Sequence, residues 1–478
     1  MHLEPDQVAW FAAGCAGVLA LECAAWWALL RRESVVSVRA WWVLLGACAV
    51  LAAPGALWRP FASEAHLRAA RFVPLPPSPR AAEKGFVLEA RGRAATLPVP
   101  AFAFLADPPA PTPDVVIVVI DSWRSDELSP EVTPVLHALA GRSVDFRNHV
   151  SASNATDWSF FSILHGALPP YYVSRAREGG PPLFARARQL GYRVGLFWGV
   201  SANFSAEAEL ASLDPRDVHI QTRTGDVVAQ DRWAVDRFEA LARDVPAGTP
   251  LMAVVFLAAP HAPYWFDPDE TPFQPWEENL RYASLKLDDP EAIQRVRNRY
   301  RNALRFADGQ VGRILAALKA SGRLDGAVLV VTGDHGEMFK EHGAWGHGRG
   351  FSPEELRVPL VVQGLPGLEP GTVVDRATSH VDIAPTLLRL LGAQDEPSAF
   401  SNGRDLRDST PRAERAACTD TQCAVLRDGG GGLVADHFAG TATRLERDGS
   451  ERNAPLSSSD RASLEHLQRE LERFFTDR

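Results

Sequence analysis

The segment LVVTGDHGEMFKEHGAWGHGRG, residues 329–350, runs from an apolar stretch directly into acids, histidines and glycines. Asp334 and His335 follow the apolar run GAVLVV, and Asp121 follows a second such run, DVVIVVI at 114–120. In an open α/β sheet, ligands gather outside the carboxyl ends of the strands, so these three side chains converge on one edge. Two carboxylates and an imidazole, with a nearby hydroxyl, make a hard-to-borderline ligand set that suits Mn²⁺, Zn²⁺ or Mg²⁺. A lone Asp after a strand is most often a turn acid or a helix cap. The Asp-His pair inside GDHGE, followed by another histidine at 347, is not accounted for so simply. Gly333 and Gly336 carry no Cβ, which lets the backbone turn sharply and approach a ligand.

The hydroxyl is Thr156, in HVSASNATDWSFFSILHG. The spacing of Trp158, Phe161, Ile163 and Leu164 predicts a helix that begins right after the threonine, with Asp157 in its first turn. At such a helix start, backbone N–H groups and the positive end of the dipole face a docking phosphoryl oxygen. Metal coordination lowers a hydroxyl's pKa and makes an alkoxide accessible near neutral pH. A threonine there is by itself commonly no more than a cap.

These residues need a rigid frame. The runs YRVGLFW (192–198), LMAVVFLA (251–258) and VPLVVQ from Val358 join the two above as buried, mostly parallel strands. Helical patterns such as NALRFADGQVGRILAALKA at 302–320 lie between them, so the fold class is α/β. In the tail, GGLVADHFAGTATRLERDG reads as short antiparallel strands and SSDRASLEHLQRELERFF as an amphipathic closing helix with a serine cap. With 478 residues, 46% of them hydrophobic, the chain can bury one large core or two smaller ones. A net charge of −9, with no Lys/Arg run longer than two, supplies no basic field for nucleic acid and excludes it as a partner.

Two apolar segments precede this frame. Residues 7–30 contain one acidic or basic side chain, Glu22, and would span roughly 36 Å as a helix, enough to cross a bilayer. Residues 40–58 are uncharged and carry Trp41, Trp42 and Trp58 near their ends, where amphipathic rings favour the interface. The intervening loop holds Arg31, Arg32 and Arg39, whereas no Lys or Arg precedes the first span, which places the loop in the cytoplasm and both termini outside. A cleaved signal peptide fits worse, because MHLEPDQ lacks basic residues. The expected organisation is a transmembrane hairpin at 1–60, a Pro-rich linker at 61–112, a core at 113–400 and a C-terminal subdomain at 401–478. Cys418 and Cys423 lie in the external part, where a disulfide and a free pair both fit.

Taken together, IDSWRSD (120–126), NATDWSFFSILHG (154–166), APHAPY (259–264), VTGDHGE (331–337) and SHVDIAPTLLRLLG (379–392) resemble the sulfatase and alkaline phosphatase superfamily. The resemblance covers roughly residues 113–475, and with the two spans it is closest to bacterial inner-membrane sulfatase-like proteins: lipoteichoic acid synthases, phosphoethanolamine transferases and regulators of lipopolysaccharide assembly. It implies an alkaline-phosphatase-like α/β/α sandwich with a mostly parallel sheet, and a catalytic domain on the periplasmic side of the plasma membrane. It also implies one divalent metal (Mn, Zn or Mg, with Ca fitting less well) held by Asp121, Thr156, Asp334 and His335. Thr156 would be the covalent nucleophile, and His261 and His347 would contact the phosphate or leaving group. The implied activity is a hydrolase or phosphotransferase acting on a phosphodiester, or another anionic ester, of an envelope phospholipid, glycolipid or polymer. The alternative is a non-catalytic, lipid-sensing regulator of the same fold.

This chain departs from the family pattern in three ways. Sulfatases need Cys or Ser in a C/S-x-P-x-R segment to generate formylglycine, and here the segment is Thr156-Asp-Trp-Ser-Phe. Two-metal relatives carry an acid four residues before the second-site histidine, where this chain has Leu257. Paired acids at the first strand end are replaced by Asp121-Ser122.

Overall fold

A computed structural model describes residues 103–105, 112–172, 180–199, 218–220, 226–280, 289–419, 421–436 and 440–474. The spans expected at 7–30 and 40–58, and nearly all of the linker, lie outside the described residues; among those described, no helix is long and apolar enough to cross a membrane. All described residues fall in one compact unit, Ala81–Arg478.

Strands β1 (Val115–Ile120), β2 (Val144–Phe146), β3 (Arg193–Trp198), β4 (Val218–Ile220), β5 (Leu251–Leu257), β6 (Val328–Gly333), β7 (Leu360–Gln363) and β8 (Val373–Val374) form one sheet. Their order is β8-β2-β7-β6-β1-β5-β3-β4. Only β7 runs against its neighbours, β6 and β2, so the sheet is mostly parallel as expected. Continuous apolar runs follow from burial on both faces. Val115, Ile117 and Val119 of β1 enter one apolar cluster, and Val116, Val118 and Ile120 the other.

The helices that cover these faces are α1 (Pro134–Ala140), α2 (Thr156–His165), α3 (Pro182–Gln189), α4 (Val227–Asp244), α5 (Pro290–Ala320) and α6 (Ile383–Leu390), whereas α7 (Ser458–Glu472) packs on the tail sheet. The first cluster takes Phe160 and Ile163 of α2, Leu183 and Phe184 of α3, and Leu387 and Leu388 of α6. The second takes Leu136 and Leu139 of α1, Val235 and Phe238 of α4, and Val296 and Ile314 of α5. The result is an α/β/α sandwich. Each such buried side chain contributes about 1.5–3 kcal/mol. Helix α5 starts well before the expected residue 302, because Asp289 accepts from Glu291 N and Pro290 fills the first turn. Its Asp308 also takes the N–H groups of Val135 (3.0 Å) and Leu136 (2.9 Å), capping α1 from a distance where Thr133 makes no side-chain cap.

The tail forms a five-stranded antiparallel sheet: β9 (Glu414–Cys418), β10 (Gln422–Arg427), β11 (Gly432–Asp436), β12 (Thr441–Leu445) and β13 (Glu451–Arg452). Cys418 and Cys423 are cross-strand partners joined by a disulfide, which resolves the alternative left open by sequence. Helix α7 begins with a capping box between Ser457 and Asp460. Its Leu464, Leu467 and Leu471 pack with Val425 and Leu433 of the tail sheet, and the same cluster reaches Phe161 of α2.

Candidate active site

The parallel register sets Ile120 beside Gly333, so the residues that follow, Asp121 and Asp334, emerge side by side at the carboxyl edge. Among the described residues, Asp121, Asp334 and His335 offer ligand atoms all within 4.8 Å of one another. All three are fully buried. His335 Nε2 lies 3.5 Å from Asp334 Oδ2 and 3.9 Å from Asp121 Oδ1. The ring's Nδ1–H donates to the Gly336 carbonyl (2.9 Å), which turns the Nε2 lone pair toward the acids. Thr156 Oγ1 completes the group, 3.2 Å from that Nε2.

These residues fit a divalent cation. Asp121 Oδ2 and Asp334 Oδ2 are buried with no hydrogen-bond partner, although buried carboxylate oxygens are normally satisfied. Asp334 Oδ1 is already used, accepting from Ser122 N (2.9 Å) and His335 N (2.7 Å), and Ser122 Oγ donates to Asp121 Oδ1 (2.9 Å). Burial, and then the neighbouring Asp334 charge, push the Asp121 carboxyl well above its ordinary range. Burial holds His335 below its ordinary value, with Asp334 opposing. A cation there would offset the repulsion between the two acids.

Helix α2 starts one residue earlier than expected. Thr156 is its first residue, Ala155 stands at the N-cap without a side-chain bond, and Thr156 is 6% exposed. The hydroxyl is therefore a buried site group and not a cap. Gly333 and Gly336 are also needed for a different reason than ligand approach. A Cβ on Gly333 would meet the Trp123 carbonyl at 2.7 Å, and one on Gly336 would meet the Glu354 carbonyl at 2.0 Å. Both permit chain to pack on chain.

His261 and His347 join the cluster. The His347 ring lies 4.0 Å from that of His335 and 5.2 Å from that of His261, centroid to centroid. Burial, with His347 adding, lowers His261 to about 4. All six residues predicted from sequence thus meet at one edge. Leu257, the position of the missing acid, points into the apolar cluster covered by α4 and α5.

Several site groups were not singled out in the sequence. Glu337 is fully buried, accepts from Tyr264 OH (2.7 Å) and holds His347 Nδ1 at 2.6 Å. Burial raises its pKa. Asp231 of α4 accepts from Ala258 N (3.0 Å) and Ala259 N (2.9 Å), fixing the turn that carries His261. Behind Asp334 and His335, His380 Nε2 donates to the Gly333 carbonyl (3.0 Å) and Ser151 Oγ to the Asp334 carbonyl (2.6 Å). Ser122 holds a positive φ of 57°, and Tyr300 OH donates to its carbonyl (2.6 Å). Glu337 stood inside the GDHGE signal, His380 inside SHVDIAPTLLRLLG and Ser122 inside IDSWRSD; Asp231, Ser151 and Tyr300 had no local pattern to reveal them.

Comparison with known proteins agrees with this arrangement. The inner membrane protein YejM of Salmonella typhi is 24% identical over 298 residues, which cover 61% of this chain and 44% of that protein. The low-salt glycan biosynthesis sulfotransferase Agl7 of Haloferax volcanii is 31% identical over 175 residues, covering 36% of this chain and 40% of the relative. The matched part thus spans less than half of either relative. The lipoteichoic acid synthase LtaP of Listeria monocytogenes superposes with a TM-score of 0.54 at 16% identity, over 79% of this chain and 95% of that one. The phosphonate monoester hydrolase of Silicibacter pomeroyi does so with a TM-score of 0.55 at 21% identity, over 76% and 94%. These likenesses establish an alkaline-phosphatase-like fold. The sulfatase family model matches residues 113–393, the whole segment that builds the sheet and its candidate metal edge, and the chain belongs to the sulfatase family.

Proposed function

We propose that this chain is a membrane-anchored, metal-dependent hydrolase or phosphotransferase that uses Thr156 to attack a phosphodiester, or another anionic ester, of an envelope lipid or polymer. One observation carries the reading: Thr156 Oγ1 sits at a helix start 3.2 Å from His335, beside two carboxylates that each keep a buried oxygen without a partner. Asp121, Thr156, Asp334 and His335 would hold one divalent ion, Mn, Zn or Mg. When bound, the ion supplies Lewis-acid charge stabilisation and eases loss of the hydroxyl proton.

Thr156 Oγ1 forms the new bond to phosphorus as the ester bond to the leaving alcohol breaks. The N–H groups of the first turn of α2 face the oxygens of the transferred group. Glu337 accepts the Nδ1–H of His347 and leaves Nε2 bare, so Nε2 takes the proton that the Thr156 hydroxyl gives up and passes it to the leaving oxygen, with His261 next to it. Water or a second alcohol then takes the group from Thr156. Sulfate-ester hydrolysis is disfavoured, because the Thr156-Asp-Trp-Ser-Phe segment cannot yield formylglycine.

The envelope assignment rests on the two apolar spans, on the similarity to an inner membrane protein, and on the Cys418–Cys423 disulfide, which suits an oxidising compartment. Incubation with candidate envelope lipids followed by mass spectrometry should find an adduct on the peptide that carries Thr156. Thr156→Ala should abolish turnover while costing about 0.5–1.5 kcal/mol of stability for one lost hydrogen bond. Activity of that variant within tenfold of wild type would refute the covalent mechanism.

A further inference from the structure

A cavity lies away from the candidate metal edge, where the main domain meets the tail sheet and α7. It encloses about 270 Å³ and is walled in part by Arg412, Arg415 and Arg473, with Arg404 exposed at the rim. The acids that also line it are engaged. Glu414 accepts from Ser463 Oγ (2.6 Å) and lies 3.6 Å from Arg427 Nε, and Glu470 pairs with Arg473. Arg412 forks onto Asp382, at 3.0 and 2.8 Å.

Arg415 differs from these. It is 6% exposed, and its Nη1 donates to the carbonyls of Asn148 (2.8 Å) and Thr378 (3.3 Å) and to Asn148 Oδ1 (3.1 Å). Its Nε is buried with no acceptor, and among the described residues no carboxylate forms an ion pair with it. Burial brings its pKa down to about 10, and the neighbouring charges of Arg412 and Arg357 add to that, with Asp428 and Asp382 opposing. A buried guanidinium without a counter-ion is costly, and a fold that keeps one on a cavity wall leaves a place for an anion. The planar fork of arginine donors matches phosphoryl oxygens in pairs, which a lysine cannot do.

We propose that this cleft binds a phosphoryl anion, free or as the headgroup of a lipid, between Arg415, Arg412 and the rim residue Arg404. The site is distinct from the Thr156 edge but joined to it: Arg415 holds the Thr378 carbonyl, and two residues on, His380 holds the carbonyl of Gly333.

The test uses the full chain in detergent with chelator present, so that the metal edge offers no competing phosphate site. Inorganic phosphate and dihexanoyl phosphatidic acid are titrated calorimetrically into wild type, Arg415→Gln, Arg415→Lys and Arg404→Gln. Wild type should bind at least one probe saturably. Arg415→Gln should weaken it about tenfold or more, the worth of a charge-assisted hydrogen bond. Arg415→Lys should recover part of the loss, and Arg404→Gln, which disturbs no buried contact, should weaken binding roughly threefold. Tighter binding of the lipid assigns the site to a headgroup, and equal binding assigns it to the free anion. No saturable binding by wild type, or affinities that stay within twofold in both Arg415→Gln and Arg404→Gln, would overturn the proposal.

Discussion

Replacing Glu337 with Gln changes a single atom type at the centre of the site. The side chain is fully buried, and its two oxygens serve different donors: Oε1 takes the Tyr264 hydroxyl at 2.7 Å and Oε2 faces His347 Nδ1 at 2.6 Å. Glutamine retains one acceptor. If the carbonyl stays with Tyr264, the NH₂ group confronts the Nδ1–H of His347, donor against donor. The imidazole relieves that clash by moving its proton to Nε2 and accepting at Nδ1. The nitrogen facing the substrate then carries a proton at the wrong stage of the cycle. General acid–base catalysis contributes about 10²- to 10⁴-fold, so losing it raises the barrier by about 2.7–5.4 kcal/mol. Stability moves less. A charge-assisted hydrogen bond worth roughly 1.5–3 kcal/mol is lost, while the desolvation cost of a buried carboxylate disappears with it. The decisive assay is ¹⁵N NMR of the His347 ring, which reports the tautomer independently of any substrate. Wild type should be protonated at Nδ1 and Glu337→Gln at Nε2, with kcat falling by about 10² or more at unchanged fold. The same tautomer in both proteins, or activity within threefold, would refute the reasoning.

Three further outcomes are expected. After dialysis, elemental analysis should find about one equivalent of divalent metal per chain, lost in Asp334→Ala, because two imidazoles alone hold a second ion weakly; two equivalents, one of them lost in His261→Ala, would refute the single-metal reading. Asp231, whose carboxyl burial raises to about 7, keeps its proton in the folded protein up to about that pH, while the unfolded chain releases it from about pH 4 upward. That group therefore lowers stability as pH rises through this window, by about 1.4 kcal/mol per pH unit at most, and Asp231→Asn should flatten the urea-midpoint profile between these limits. A reporter active only outside the cytoplasm should work when fused at Arg478 and fail in the 31–39 loop, and the reverse pattern would defeat the orientation.

The candidate metal edge was legible because Asp121 and the Asp334–His335 pair each follow an apolar run. DVVIVVI and GAVLVV can only be buried strands, and a charged residue just beyond such a strand must stand at its end. What the sequence hides is anything set by register between distant segments. Glu337 lies in the same stretch as His335, yet its partner Tyr264 comes from the loop after β5. Asp231 looks like a routine polar residue on an amphipathic helix until α4 lies against the end of β5. The left-handed turn at Ser122 has no glycine to mark it and is held by Tyr300, 178 residues away. Boundaries slipped where a cap or proline outweighed periodicity, as at Asp289-Pro290 in α5. The cysteine spacing in the tail could not by itself choose between a bond and two thiols, and strand pairing decided it.

The apolar cluster that joins Phe161 of α2 to Val425 and Leu433 of the tail sheet and Leu464 of α7 has a consequence for biosynthesis. The outer side of the helix that starts at Thr156 is covered by residues translated roughly 300 positions later. A chain emerging vectorially can therefore pair β1 with β5 and then β6, bringing Asp121 and Asp334 together, while helix α2 still exposes an apolar flank. The tail sheet and α7 complete the cover of that flank. The order of translation thus sets an order of assembly: the candidate ion-binding edge can form first, and the flank of the helix that carries Thr156 is covered only after the tail sheet and α7 have been made.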